Sequence, residues 1–301
     1  MRWLALSVEA DVEAVEAVSE ILGRLGRGSV IEPLRLAADP ADEQALRPDP
    51  AAGYRVTAYV PDDADAAGAV DRTERALWHL QAFDLRPMSA LAVTAVDDAD
   101  WATAWREGYE PIRIGRITIV PTWLEVPADA ELVIRLDPGM AFGTGLHPTT
   151  RGCLEELQAL GALPDAVLDV GCGSGILGLA ALALGAERVV GYDTDVLAVN
   201  ATRQNAEVNR RSGQVTAHHE TLPDVATETF PLVLANLVAA VLIELAPRLV
   251  AHTAPMGTVI ASGIIDTRRD EVETALAAAG LLVADRRVEG EWVTLRLVRS
   301  A

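Results

Sequence analysis

The sequence predicts an α/β protein: a doubly wound, mostly parallel sheet with an antiparallel last strand, preceded by a small α+β unit. Three observations predict it. From Thr149 onward, apolar runs of strand length alternate with segments of helical spacing, the pattern of successive βαβ units. The final two runs, Leu281–Val288 and Trp292–Val298, are joined across Glu289-Gly290-Glu291, too short for the crossover that a parallel return requires. The first hundred residues read instead as strand, helix, strand, strand, helix, strand, the order of a ferredoxin-like split βαβ.

In that first unit, Trp3–Val8 and Ser29–Leu36 read as strands, and Asp11–Arg24 carries Val12, Val15, Val18, Ile21 and Leu22 at helical spacing. Tyr54–Val60 alternates and is closed by Pro61. Asp65–Ala82 places Val70, Leu77 and Leu80 on one helix side, and Leu91–Val96 completes the set. The Ala/Asp/Pro-rich stretch Ala37–Gly53 is expected to be a loop. Residues 1–96 form the expected recognition domain and residues 97–115 a linker helix. Trp101 and Trp105 share one face of that helix, at i and i+4. Residues 116–301 form the expected catalytic domain, opening with short strands at Arg116–Pro121 and Glu131–Leu136.

Thr149–Leu160 is then helical, and strands follow at Val167–Val170, Arg188–Tyr192, Gln214–His218, Pro231–Ala235 and Thr258–Ser262. Helices separate them at Ile176–Leu184, Val196–Asn209 and Val238–Val250, and Thr267–Ala279 precedes the closing pair.

The 301 residues carry a formal charge of −19, and every one of the 25 basic residues is Arg. Scattered arginines on an acidic chain disfavour a groove that tracks phosphate, and suit a basic protein partner. No stretch reads as an uncharged membrane span of roughly 20 residues. Glu9 and Asp11 interrupt the N-terminus too early for a secretory signal, so a cytoplasmic location is expected. Cys153 and Cys172 have neither disulfide nor metal-ligand spacing and read as reduced core thiols; no metal site is expected.

Chemistry concentrates in two neighbouring stretches: Asp137-Pro138-Gly139-Met140-Ala141-Phe142-Gly143-Thr144-Gly145-Leu146-His147-Pro148-Thr149-Thr150 and Val167-Leu168-Asp169-Val170-Gly171-Cys172-Gly173-Ser174-Gly175. The second is a strand running into a glycine turn, where backbone can approach a ligand closely. Gly173–Gly178 also matches the dinucleotide G-x-G-x-x-G, so a nicotinamide-dependent oxidoreductase is a competing reading. Asp193, ending the second strand, is placed to accept two ribose hydroxyls in either case, while Asp195 more naturally caps the next helix. Asp169 before the glycines and Asn236 after the fourth strand favour S-adenosylmethionine over NAD.

These segments, with Trp101–Trp123, Ala235-Asn236-Leu237 and Gly290-Glu291-Trp292, resemble the PrmA-type methyltransferases that modify ribosomal protein L11. The likeness rests on specific motifs over residues 97–298, and on element order alone before them. It implies a Rossmann-like methyltransferase sheet, S-adenosylmethionine as cofactor, and a first domain that recognises L11. It also implies cofactor contacts at Thr150, Gly171, Asp193 and Asn236; Gly173 in the glycine turn, and Phe142, expected to pack on the cofactor, complete the candidate set. Leu146 stands where the family often has Thr. The expected activity is methylation of lysine and α-amino groups of L11. Alternatives are the same chemistry on another protein amine, an amide or a nucleobase, or a non-catalytic S-adenosylmethionine-binding regulator.

Methyl transfer to an amine requires a neutral nitrogen. Lysine's ordinary pKa of about 10.4 puts that cost at roughly 4–5 kcal/mol near neutral pH. Asn236 is the expected catalytic residue, accepting an N–H bond and aiming the lone pair. His147 is the one candidate base in the polar segment, with a structural role as its alternative, and His218 and His219 are expected to face solvent. The absence of lysine fits an enzyme that spares itself, although codon bias is the simpler explanation.

Overall fold

The computed structural model describes residues 2–11, 14–23, 25, 29–39, 42–49, 52–63, 65–81, 89–97, 110–136 and 147–300. Trp101, Trp105 and Phe142 lie outside the described residues, as does most of the expected linker helix. The chain divides into two compact units, Met1–Tyr109 and Glu110–Ala301.

In the smaller unit, β1 (Arg2–Ala10), β2 (Ser29–Pro33), β5 (Tyr54–Pro61) and β6 (Ala92–Asp97) form one antiparallel sheet in the order β2-β5-β1-β6. The helices α1 (Val15–Gly23) and α2 (Ala66–Gln81) pack on each other and on β5. Leu6, Val8, Val18, Leu22, Val56 and Leu77 close the core beneath them. The loop expected at Ala37–Gly53 is in part a hairpin, β3 (Leu36–Asp39) with β4 (Asp42–Pro48). It escapes a reading by hydrophobic alternation because its sequence carries none, and among the described residues it pairs only with itself, outside the four-stranded sheet.

The larger unit opens with a three-stranded sheet, β7 (Ile112–Ile114), β8 (Ile117–Pro121) and β9 (Leu132–Leu136). Ile112–Ile114, assigned to the linker helix by sequence, is therefore a strand. Its short apolar alternation, Ile-Arg-Ile, pairs across the Gly115 turn with β8. Gln158 and Asn209 clamp this sheet from two helices: Gln158 donates to Ile114 O at 3.1 Å and accepts from Arg116 N at 2.8 Å. Asn209 takes Arg135 N at 2.9 Å and donates to Arg135 O at 2.6 Å.

A seven-stranded sheet follows in the order β12-β11-β10-β13-β14-β16-β15. Its strands are β10 (Ala166–Val170), β11 (Arg188–Asp193), β12 (Val215–His219), β13 (Phe230–Asn236), β14 (Thr253–Ile265), β15 (Leu281–Glu289) and β16 (Trp292–Arg299). β10 to β14 run parallel, and β16 is antiparallel to both of its neighbours, as the short final turn demands. The helices are α3 (Pro148–Ala159), α4 (Ile176–Ala183), α5 (Val196–Val208), α6 (Ala239–His252) and α7 (Arg269–Ala279).

Both faces of this sheet are covered, which is why its strands read as continuous apolar runs. Side chains alternate between two cores. Val167, Leu232 and Leu234 join Leu154, Leu157 and Leu177 on one side, while Leu168, Val233 and Ala235 join Leu242 and Leu249 on the other. Among the described residues no helix is long and apolar enough to cross a membrane.

Candidate functional site

The site begins where β10 ends. Gly171, Gly173 and Gly175 all hold positive φ, at 72°, 54° and 79°. Gly171 and Cys172 both donate backbone N–H bonds to Tyr192 O, at 2.8 and 3.1 Å, tying the turn to the end of β11. At Gly171 only glycine serves: φ is left-handed, and a Cβ would collide with Leu237 Cδ2.

Asp193 organises the next layer. Its Oδ2 accepts from Gly173 N at 2.9 Å and its Oδ1 from Asp195 N at 2.9 Å. Each carboxylate oxygen keeps a lone pair for a further donor, so the carboxylate can grip a ligand while it shapes the turn. Asp195 caps α5 through Leu197 N at 2.8 Å, as its position in the sequence suggests.

Gly171, Gly173, Asp193 and Asn236 line one cleft of about 300 Å³ at the carboxyl ends of β10, β11 and β13, together with Tyr192 and Glu220. This is the edge where open α/β sheets bind ligands. Thr150, completely buried at the start of α3, reaches the same place: Asn236 Nδ2 donates to Thr150 Oγ1 at 3.4 Å. Thr150, Gly171, Gly173, Asp193 and Asn236 are thus brought together; Phe142 lies outside the described residues.

Asp169 sits beneath the turn, 1 % exposed. One oxygen accepts from Gly178 N at 3.1 Å, and the other has no partner among the described residues. Burial pushes its carboxyl up to about 7; the Gly178 bond opposes that shift and the nearby Asp193 charge adds to it. Cys172 is also in the turn, and burial holds both its thiol and that of Cys153 well above their ordinary value, so neither is a nucleophile near neutral pH.

His147 is the N-cap of α3. Its Nδ1 accepts from Thr149 N at 3.3 Å and lies 2.7 Å from Thr149 Oγ1, and its ring meets Trp292 edge-on at 4.8 Å. Burial lowers its pKa to about 4. A neutral imidazole with Nδ1 spent on a helix cap fits the structural alternative for His147. His218 does not simply face solvent: it stacks on Tyr192 at 4.9 Å, because parallel pairing of β11 and β12 sets the two side by side. His219 is exposed, within 3.1 Å of Thr194 O.

Several residues at the site were not found by sequence reasoning. Glu220 and Thr221 line the cleft just past β12, a position that only the strand order discloses. Thr202 and Asn205, on the inner face of α5, brace the glycine turn by donating to Gly173 O at 3.0 Å and Ser174 O at 2.9 Å. Their signal was present: two polar residues at i and i+3 on a buried helix face need partners.

Comparison with known proteins decides the family. The profile described as "Ribosomal protein L11 methyltransferase (PrmA)" matches residues 2–300. The chain belongs to this family. Among relatives, the ribosomal protein L11 methyltransferase of Chloroflexus aurantiacus is 42 % identical, with 97 % of each chain covered. That of Geobacillus thermodenitrificans is 35 % identical over 99 % of this chain and 100 % of its own. Among solved structures, the ribosomal protein L11 methylase of Lactobacillus delbrueckii subsp. bulgaricus is 33 % identical with a TM-score of 0.60, covering 64 % of this chain and 100 % of that one. Family membership makes the reaction a methyl transfer and S-adenosylmethionine the donor, and removes the oxidoreductase reading.

Proposed function

We propose that this protein methylates lysine side-chain and N-terminal α-amino groups of ribosomal protein L11, in the cytoplasm, using the cleft at the carboxyl edge of the larger unit. The observation that carries the proposal is the convergence of Gly171, Gly173, Asp193 and Asn236 on that single cleft, with Thr150 bonded to Asn236. The relatives' names give the substrate.

The residues present fit the cofactor. The positive-φ turn admits close approach of a ligand, and Asp193 retains acceptor capacity for a ribose. When bound, S-adenosylmethionine supplies an electrophilic methyl on a sulfonium centre. Asn236, its Nδ2 turned to Thr150, presents Oδ1 as acceptor for an amine N–H, which aims the nitrogen lone pair. Desolvation in the cleft favours the neutral amine, offsetting part of the roughly 4–5 kcal/mol that deprotonation costs near neutral pH. Phe142 would pack on the cofactor. His147, neutral and engaged in the α3 cap, is given no proton-transfer role.

We assign recognition of L11 to residues 1–96 as a ferredoxin-like domain. The antiparallel order β2-β5-β1-β6 with two helices supports this reading. So does the chain's charge of −19, complementary to a basic partner. Incubation with methyl-labelled S-adenosylmethionine and purified ribosomal proteins tests the whole reading. Label in L11 at lysine and α-amino nitrogens is expected; label confined to another acceptor would overturn it.

A further inference from the structure

Asn236 is followed by Leu237-Val238 and then directly by α6, with no proline to stiffen the connection. Yet an amide that aims a lone pair must be held still. The structure holds it from two sides. On one, Gly171 of the cofactor turn lies against the Leu237 side chain: a Cβ there would collide with Cδ2 and stand 3.4 Å from Cγ.

On the other side, β14 bulges. Its register against β16 shifts between Ala261 and Ile264, and within the bulge Gly263 has φ +82°. That bend presses Gly263 onto the Leu237 peptide. A Cβ on Gly263 would lie 2.7 Å from Leu237 C and 3.1 Å from Leu237 N, and closer still to the carbonyl oxygen. Leu237 N–H donates to Ser262 O at 2.9 Å, so the peptide is bonded to the same bulge that crowds it. Ser262 is itself fixed, fully buried and 2.7 Å from the Thr294 hydroxyl.

We propose that Leu237, seated between Gly171 and Gly263, is the positioning residue that fixes the Asn236 amide for its acceptor amine. This rests on the role given to Asn236 above. Both glycines have a left-handed φ, and each has a neighbour from Leu237 where a side chain would stand: the end of its side chain at Gly171, its backbone at Gly263. The arrangement joins the cofactor turn and the amine-aiming residue through one side chain. A disturbance on either side of Leu237 therefore reaches Asn236.

The test compares Gly263→Ala, Leu237→Ala, Asn236→Ala and the Leu237→Ala/Asn236→Ala pair. It reads kcat and KM on L11, cofactor Kd and thermal melting. Gly263 does not line the cleft, so Gly263→Ala should lower kcat by about tenfold or more with cofactor Kd within about threefold. Leu237→Ala should do the same to kcat, and it decides the question if Gly263→Ala does not fold. Because Leu237 acts through Asn236, Leu237→Ala should cost less than about twofold in the Asn236→Ala background. Unchanged kcat in folded Gly263→Ala and Leu237→Ala, or losses that multiply in the pair, overturns the proposal while leaving the role of Asn236 standing. Full activity of Asn236→Ala alone removes the amide's role, and this proposal with it.

Discussion

Asn236, at the end of β13, donates from Nδ2 to the Oγ1 of Thr150 in the first turn of α3, at 3.4 Å. In this arrangement Oδ1 faces away from Thr150, available as an acceptor. A neutral hydrogen bond of this kind contributes about 1 kcal/mol, so Thr150→Val should lower kcat about fivefold, and Thr150→Ser should retain it. Asn236→Ala removes the acceptor altogether. It should lower kcat by about a hundredfold with cofactor Kd moved less than about threefold. Parallel loss of cofactor binding in Asn236→Ala would contradict an amine-aiming role.

Asp193 stabilises the turn as well as standing ready for a ligand, since its two oxygens take the amides of Gly173 and Asp195. Asp193→Asn turns an NH2 toward one of those amide donors, and Asp193→Ala leaves both unsatisfied. Each substitution should weaken S-adenosylmethionine binding by about 2 kcal/mol, roughly thirtyfold, by titration calorimetry. Asp195→Ala, which removes only the α5 cap, should cost about 1 kcal/mol of stability.

The larger unit was legible because its physics is local. Strands buried on both faces read as apolar runs, glycines at a strand end mark a turn, and a two-residue connection forces β15 and β16 antiparallel. Ile112–Ile114 was misread because three residues are too few to separate a strand from a helix by period. The β3–β4 hairpin was missed because neither strand joins the main sheet. That Asp193 and Asn236 line the cleft was legible since each directly follows a strand core. Glu220, Thr202 and Gly263 were not, because their importance comes from strand order, helix packing and a bulge, which are all non-local. Gly263 reads in sequence as one more small residue; only its approach to the Leu237 peptide gives it meaning.

Asn209 makes a testable structural clamp. Its amide serves as a strand's worth of partner to Arg135 N and O in β9, and it also donates to Asn205 O at 2.7 Å. Asn209→Ala strips Arg135 N and O of this side-chain partner, while Asn205 O keeps its bond from Asn209 N, and should cost about 2 kcal/mol in urea unfolding, with the denaturant slope unchanged. Asn209→Asp keeps the acceptor but loses both donated bonds, so it should recover little.

Two buried groups pull stability in opposite directions with pH. Asp169 is raised to about 7, so the fold prefers its protonated form: its contribution is present below about pH 4 and is lost as pH rises toward 7. His147 is lowered to about 4, so the fold prefers neutral imidazole: its contribution is present above about pH 6.5 and is lost as pH falls toward 4. The Asp169 swing is on the order of 4 kcal/mol and that of His147 about 3 kcal/mol, so across roughly pH 4 to 6.5 they largely cancel. Single substitutions unmask each. Asp169→Asn keeps an acceptor for Gly178 N while removing the titration, and its stability relative to the parent should rise steadily with pH. His147→Asn keeps a capping side chain, and its relative stability should fall over the same range. Urea midpoints measured at intervals between about pH 4.5 and 7 check both slopes. A difference from the parent that stays level with pH, in either variant, means that the group does not titrate as its burial demands.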